Sequence, residues 1–248
     1  MKCVKKQPGT LHKPASKQAV FFELLGRLKA RRSHFPLTEV RAAVNDSGLS
    51  LANGTLKVYL SEATRQGLIH DAGRGWYSRL SEPLKLDPRP VQKLIRATKK
   101  ALPLLDFCAW STAQINPWMR HLLAQPVAFL YAPRGALESV GDALRAQGWK
   151  VAANPGKREV ARDVLPGEEM VVLRPTHSKQ PPAQKHLAAP EQVLVDLLVE
   201  TEALGLMDSA EARAVLLNAS DAGLVKMSDL KRFAESKHLE WAEIPFTN

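Results

Sequence analysis

Residues 53–80 read NGTLKVYLSEATRQGLIHDAGRGWYSRL. Leu56, Leu60 and Ala63 recur at helical spacing, with Ser50 or Asn53 as the cap and Gly67 as the stop. Leu68-Ile69-His70 and Trp76-Tyr77-Ser78 then read as two short strands closed by Gly73-Arg74-Gly75. A helix followed at once by a small hairpin with a basic tip is the second half of a winged helix-turn-helix.

The chain before it supplies the first half. Ser16 caps a helix over 17–30, where Val20, Phe21, Leu24, Leu25 and Leu28 form the apolar side. Thr38 is the expected cap of a short helix ending near Asn45, and Asp46-Ser47-Gly48 is a turn. The expected organisation is a basic arm over 1–15, a winged helix-turn-helix over 16–82 and a connecting segment over 83–101, whose basic helix over 90–101 is capped by Asp87. An α/β sheet domain with a helical C-terminal part follows over 102–248. Within it, Thr112–Leu123 and Gly135–Ala146 read as helices, and Val127–Tyr131, Trp149–Ala153 and Met170–Arg174 as strands. Residues 176–190 read as a loop. Glu191–Leu204, Ser209–Asn218 and Ser228–His238 read as helices, with Asp208 or Ser209 and Ser228 as caps. The fold class is α+β.

The chain has 248 residues and a net charge of +10, unevenly placed. Residues 1–85 hold 15 Lys and Arg against 6 Asp and Glu, whereas residues 190–248 hold 5 against 11. A basic front end and an acidic tail point to a polyanion for the front, with a generally basic protein as the plainer reading. Two cysteines, Cys3 and Cys108, build no disulfide framework and suit a reducing cytoplasm. The N-terminus has charge but no apolar run behind it, so no signal peptide is expected. No apolar run reaches the length of a membrane span.

In a winged helix-turn-helix the third helix enters the major groove with its N-terminal half leading. Asn53, Thr55, Lys57, Ser61 and Arg65 lie off the apolar stripe, and Arg74 stands at the wing tip. These six are the candidate contacts to double-stranded DNA, with Arg65 meeting phosphate rather than bases. Each has a plainer reading: Asn53 as a cap, Lys57 and Arg65 as solvated charges, the glycines as turn residues, Trp76 and Tyr77 as wing packing.

Catalytic chemistry finds little support. The seven histidines are scattered with no pair four apart, no paired cysteines suit zinc, and no phosphate-binding glycine loop occurs. No cofactor and no metal are expected. A metal-dependent nuclease needs an acid and an Asp/Glu-x-Lys on adjacent strands. Asp163, Glu168 and Glu169 lie near a strand, but Glu169-Met-Val lacks the lysine. Asp229-Leu-Lys231 and Glu235-Ser-Lys237 fall on a helix, as solvated charges. An adaptor whose acidic tail grips a basic partner protein is the other alternative.

Three stretches taken in order resemble the AbiEi family of antitoxins from bacterial type IV toxin–antitoxin systems. They are Gly67–Ser78, the block from Phe107–Thr112 to Ala153-Asn154-Pro155, and Pro190–Leu198; the resemblance spans roughly residues 16 to 240. It implies a winged helix that represses its own operon by binding promoter repeats, through Asn53, Thr55, Lys57, Ser61, Arg65 and Arg74. It also implies a C-terminal portion that counters a nucleotidyltransferase-like toxin without a stable complex.

Overall fold

The structure is a computed structural model that describes residues 16–121, 126–156 and 170–240. The expected arm over 1–15 and the acids Asp163, Glu168 and Glu169 lie outside the described residues.

Ser16 caps α1 (Lys17–Arg31) by accepting the Ala19 N–H at 3.1 Å, as expected. The chain then runs through β1 (His34–Pro36), α2 (Leu37–Asp46), α3 (Asn53–Arg65), β2 (His70–Asp71) and β3 (Trp76–Ser78). The three strands pair antiparallel in the order β1-β3-β2. Phe21, Leu25, Phe35, Val40, Leu56, Leu60 and Ile69 make the core under this winged helix.

β1 has no counterpart among the expected elements. It forms because Phe35 is buried beside Tyr77 while the flanking backbone completes the ladder with β3. Two expected caps are corrected. Pro36, not Thr38, stands before α2, and Ala52 stands before α3; neither makes a side-chain capping bond. Asn53 is therefore the first helical residue, and neither it nor Ser50 caps α3.

The second sheet holds β4 (Cys108–Ser111), β5 (Val127–Ala132), β6 (Lys150–Ala153) and β7 (Met170–Pro175) in the order β4-β5-β7-β6. β5, β7 and β6 run parallel and β4 pairs antiparallel at the edge. Leu94 of α4 (Arg89–Ala101) and Val140 and Leu144 of α5 (Leu137–Arg145) join Leu130 and Leu173 on one face of this sheet. α4 is thus a layer of the sheet domain. Pro88 occupies its cap position, yet Asp87 still accepts the Arg89 N–H at 3.0 Å. The stretch expected as a helix from Thr112 is a 3₁₀ helix, Thr112–Trp118, with Pro117 near its end.

α6 (Pro190–Leu204) covers the other face of the sheet, followed by α7 (Ser209–Ala222) and α8 (Met227–Ser236). Asp208 caps α7 through the Ala210 N–H. Ser228 does not cap α8, because the helix already begins at Met227 and Lys226 holds the cap position.

Ser228 has another neighbour. A Cβ on Gly73 would collide with its side chain, so only glycine lets the wing close on the start of α8. Ala72 and Trp76 of the wing share one core with Leu84, Leu194, Val195, Leu216, Met227, Leu230 and Phe233. Val225 donates its N–H to His34 Nε2 at 3.0 Å, and Leu84 and Leu224 pair through their backbones at 2.9 Å. The winged helix and the C-terminal helices are packed as one body through the wing.

Candidate nucleic-acid interface

The buried stripe of α3 is Leu56, Leu60 and Ala63, which turns the other positions outward. Asn53, Lys57, Ser61 and Arg65 are exposed and Thr55 is half-buried. Lys57 has no ion-pair partner among the described residues. Arg65 is engaged differently: its Nε and an Nη grip both oxygens of Glu62 at 2.9 and 2.6 Å. Hydrogen bonds from Arg65 and Gln66 hold the Glu62 carboxyl down, to about 2. Any other anion would compete with a partner already in place on Arg65.

Val58 was missed. It is 63 % exposed beside Lys57 and Ser61, an apolar side chain on the solvent face of α3. The signal was present in the sequence, since position 58 falls opposite the 56/60/63 stripe. Arg74 is exposed at the wing tip between Gly73 and Gly75, both at positive φ. The rest of the wing is committed inward: Asp71 is paired with Lys226 at 2.9 Å and Trp76 is buried. Arg74 is therefore presented on a hairpin held from behind. A second cationic row, Lys93, Arg96, Lys99 and Lys100, lies exposed on α4, with Lys93 at 5.2 Å over the Trp149 ring.

A different polar arrangement lies inside. Cys108, Tyr131 and Arg174 sit side by side across β4, β5 and β7. Along α6, Gln192, Asp196 and Glu200 face them at four-residue spacing. Cys108 Sγ meets Gln192 Oε1 at 3.5 Å, and Arg174 binds Glu200 through two bonds of 2.8 and 2.6 Å. The middle residue is half satisfied, since Asp196 Oδ2 accepts a Gln192 Nε2 hydrogen at 3.1 Å. The Tyr131 hydroxyl lies near the Asp196 carboxyl and the Trp110 indole N–H, close enough for each to influence its ionisation. Yet Tyr131 Oη, Asp196 Oδ1 and Trp110 Nε1 complete no hydrogen bond. Burial pushes the Asp196 carboxyl up to about 7 and the Cys108 thiol up to about 12, so Cys108 offers no ready thiolate.

Among the described residues no three His, Cys, Asp or Glu side chains converge as metal ligands. Asp229 and Glu235 of α8 are paired with Arg232 and Lys231. No helix among the described residues is long and apolar enough to cross a membrane.

Residues 55–244 match a family described as a family of unknown function, DUF6577. The match opens inside α3 and takes in the wing, the sheet and the C-terminal helices, leaving out α1 and α2. No curated protein matches the chain. With well over half of its length inside that match, the chain belongs to the DUF6577 family.

Proposed function

We propose that this protein is a sequence-specific DNA-binding transcriptional repressor of the cytoplasm and not an enzyme. The observation that carries the reading is the winged helix itself: α3 turns Asn53, Lys57, Val58 and Ser61 to solvent, with Arg74 exposed on the wing. Asn53, Thr55 and Ser61 supply hydrogen bonds, and Lys57 and Arg74 supply phosphate contacts. Arg65 joins them only by leaving Glu62. The excess of positive charge over residues 1–85 favours the same partner.

The likeness of the wing, middle block and α6 to AbiEi antitoxins extends the proposal. The protein autoregulates its operon through promoter repeats and counters a nucleotidyltransferase-like toxin, without holding it in a stable complex. The adaptor alternative draws less support, because the acidic tail is largely spent within the molecule. Glu191 accepts the Lys226 N–H, Glu200 holds Arg174, Asp208 caps α7 and Glu211 accepts the Arg120 N–H.

A gel-shift titration against the DNA upstream of its own gene tests the reading. Binding at least about a thousandfold tighter than to random duplex at physiological salt is expected of a specific regulator. Equal affinity for both would overturn it.

A further inference from the structure

α4 carries cations without acids. Arg89, Lys93, Arg96 and Lys100 recur at spacings of four, three and four residues, opposite the buried stripe of Val91, Leu94 and Thr98. They form one straight row of about 16 Å, with Lys99 beside it, and all five side chains belong to exposed residues. Elsewhere the helices answer their own charges. α1, α3, α5 and α8 each pair a cation with an acid three or four residues away, through Arg27–Glu23, Arg65–Glu62, Arg145–Asp142 and Arg232–Asp229.

On α4 only Arg89 is paired, with Asp87 just ahead of the helix. Lys93, Arg96, Lys99 and Lys100 have no ion-pair partner among the described residues. Lys93 leans over the Trp149 ring at 5.2 Å, and Arg96 donates to the Gln92 carbonyl at 3.3 Å. Like charges at this spacing oppose a helix. α4 persists because its inner face is buried, Leu94 packing with Leu130 and Leu173. A polyanion along the outer face would relieve the repulsion.

The face also selects its partner. α4 exposes no large apolar side chain. A helix that lies on a membrane needs an apolar face to sink into lipid, and a protein partner needs one to bury. A straight row of cations with neither suits a chain of phosphates. The row is tethered close to the wing as well. The connection from Ser78, at the end of β3, to Arg89 spans at most about 40 Å fully extended, little more than one turn of duplex. Leu84 and Leu86 anchor that connection by burial in two cores.

We propose that the outer face of α4 is a second duplex contact, in which Lys93, Arg96, Lys99 and Lys100 bind phosphates of the DNA flanking the site read by α3 and the wing. This contact rests on the DNA-binding reading of α3 and the wing. It adds affinity without sequence preference, because phosphate contacts carry none.

Anisotropy on the upstream duplex tests it, with the full chain and a variant combining Lys93→Gln, Arg96→Gln, Lys99→Gln and Lys100→Gln. The four positions are exposed and glutamine suits a helix as lysine does, so the thermal melt should stay at or above that of the wild type. The slope of log K against log salt should fall by about 3. Affinities for upstream and random duplex should fall together, by at least about tenfold at physiological salt. Hydroxyl-radical footprints should shorten at one flank. A control removes as many exposed cations elsewhere, through Arg134→Gln, Lys179→Gln, Lys185→Gln and Arg213→Gln, and should change the slope by less than about 1.

A wild-type slope in the α4 variant, a drop no larger than the control's, or binding to phosphatidylserine vesicles as tight as to duplex would overturn the α4 contact and leave the winged helix as it stands. A slope lost in the α4 variant but kept in Lys57→Ala combined with Arg74→Ala would uphold α4 and sink the reading of α3 and the wing. No duplex binding by the wild type would sink both.

Discussion

Two helices carry polar residues at the same four-residue spacing and use them in opposite ways. Along α3, Asn53, Lys57, Ser61 and Arg65 face solvent; along α6, Gln192, Asp196 and Glu200 face the interior. What separates them is the company each row keeps. α3 buries a single stripe, so its polar row stays outside, where Arg65 is held by Glu62 and Asn53, Lys57 and Ser61 face solvent. α6 buries Val193, Leu194, Val195 and Leu197 as well, which leaves its polar row nowhere to go but inward. Buried polar groups must then be matched. Two of the three on α6 are closed by Cys108 and Arg174, and the middle one is left partly open. Substitutions should therefore damage binding along α3 and stability along α6.

The largest effect is expected at Glu200. Glu200→Ala leaves the Arg174 guanidinium, 11 % exposed, without its carboxylate. A loss of about 3–5 kcal/mol is expected in urea melts, whereas Ser61→Ala on α3 should stay within about 0.5 kcal/mol. Comparable losses for the two would erase the contrast between the helices.

Asp196 comes next and sharpens the contrast through pH. Its folded value is raised from 3.8 to about 7, so its penalty is absent at low pH and grows as pH rises through that interval. Wild-type stability should decline accordingly, by up to ~4 kcal/mol, and Asp196→Asn should abolish the decline. Melts at mildly acidic and mildly alkaline pH measure the difference; parallel profiles for the two proteins would contradict it.

With the aspartate titration removed by Asp196→Asn, a smaller, opposite trend is exposed. His34 lies where the winged helix meets the C-terminal helices, and burial lowers it from 6.5 to about 4. Its neutral ring must accept the Val225 N–H, so stability is complete above its unfolded value and is lost as pH falls from 6.5 towards 4. The loss is expected to reach ~3 kcal/mol and to disappear in His34→Gln, whose amide oxygen can still accept. An unchanged acid limb in that variant would place the titration elsewhere.

The winged helix was legible because its signals are local: the stripe of α3, the glycine exit and the turn at Gly73-Arg74-Gly75 each lie within a few residues. Its third strand was not, since His34–Pro36 is too short to show a period and is fixed only by pairing with β3, about forty residues on. The role of Gly73 was half legible. Positive φ explains a glycine there, but the contact with Ser228 comes from a helix at the far end of the chain. The row on α6 did leave a trace, because a helix apolar on nearly every side signals burial of its acids too. Which strands answer those acids depends on sheet register, and no sequence spacing carries it. Arg65 looked like a free cation only until Glu62, one turn away, was seen to hold it.

The most direct test of the account is the salt dependence of binding to the upstream duplex for the wild type and for Lys57→Ala combined with Arg74→Ala, followed by anisotropy. If these side chains meet phosphates, the slope of log K against log salt should fall by about 2 in the double variant, and Arg65→Ala should change it less than either single substitution. A double variant with the wild-type slope and affinity would mean that α3 and the wing do not face DNA.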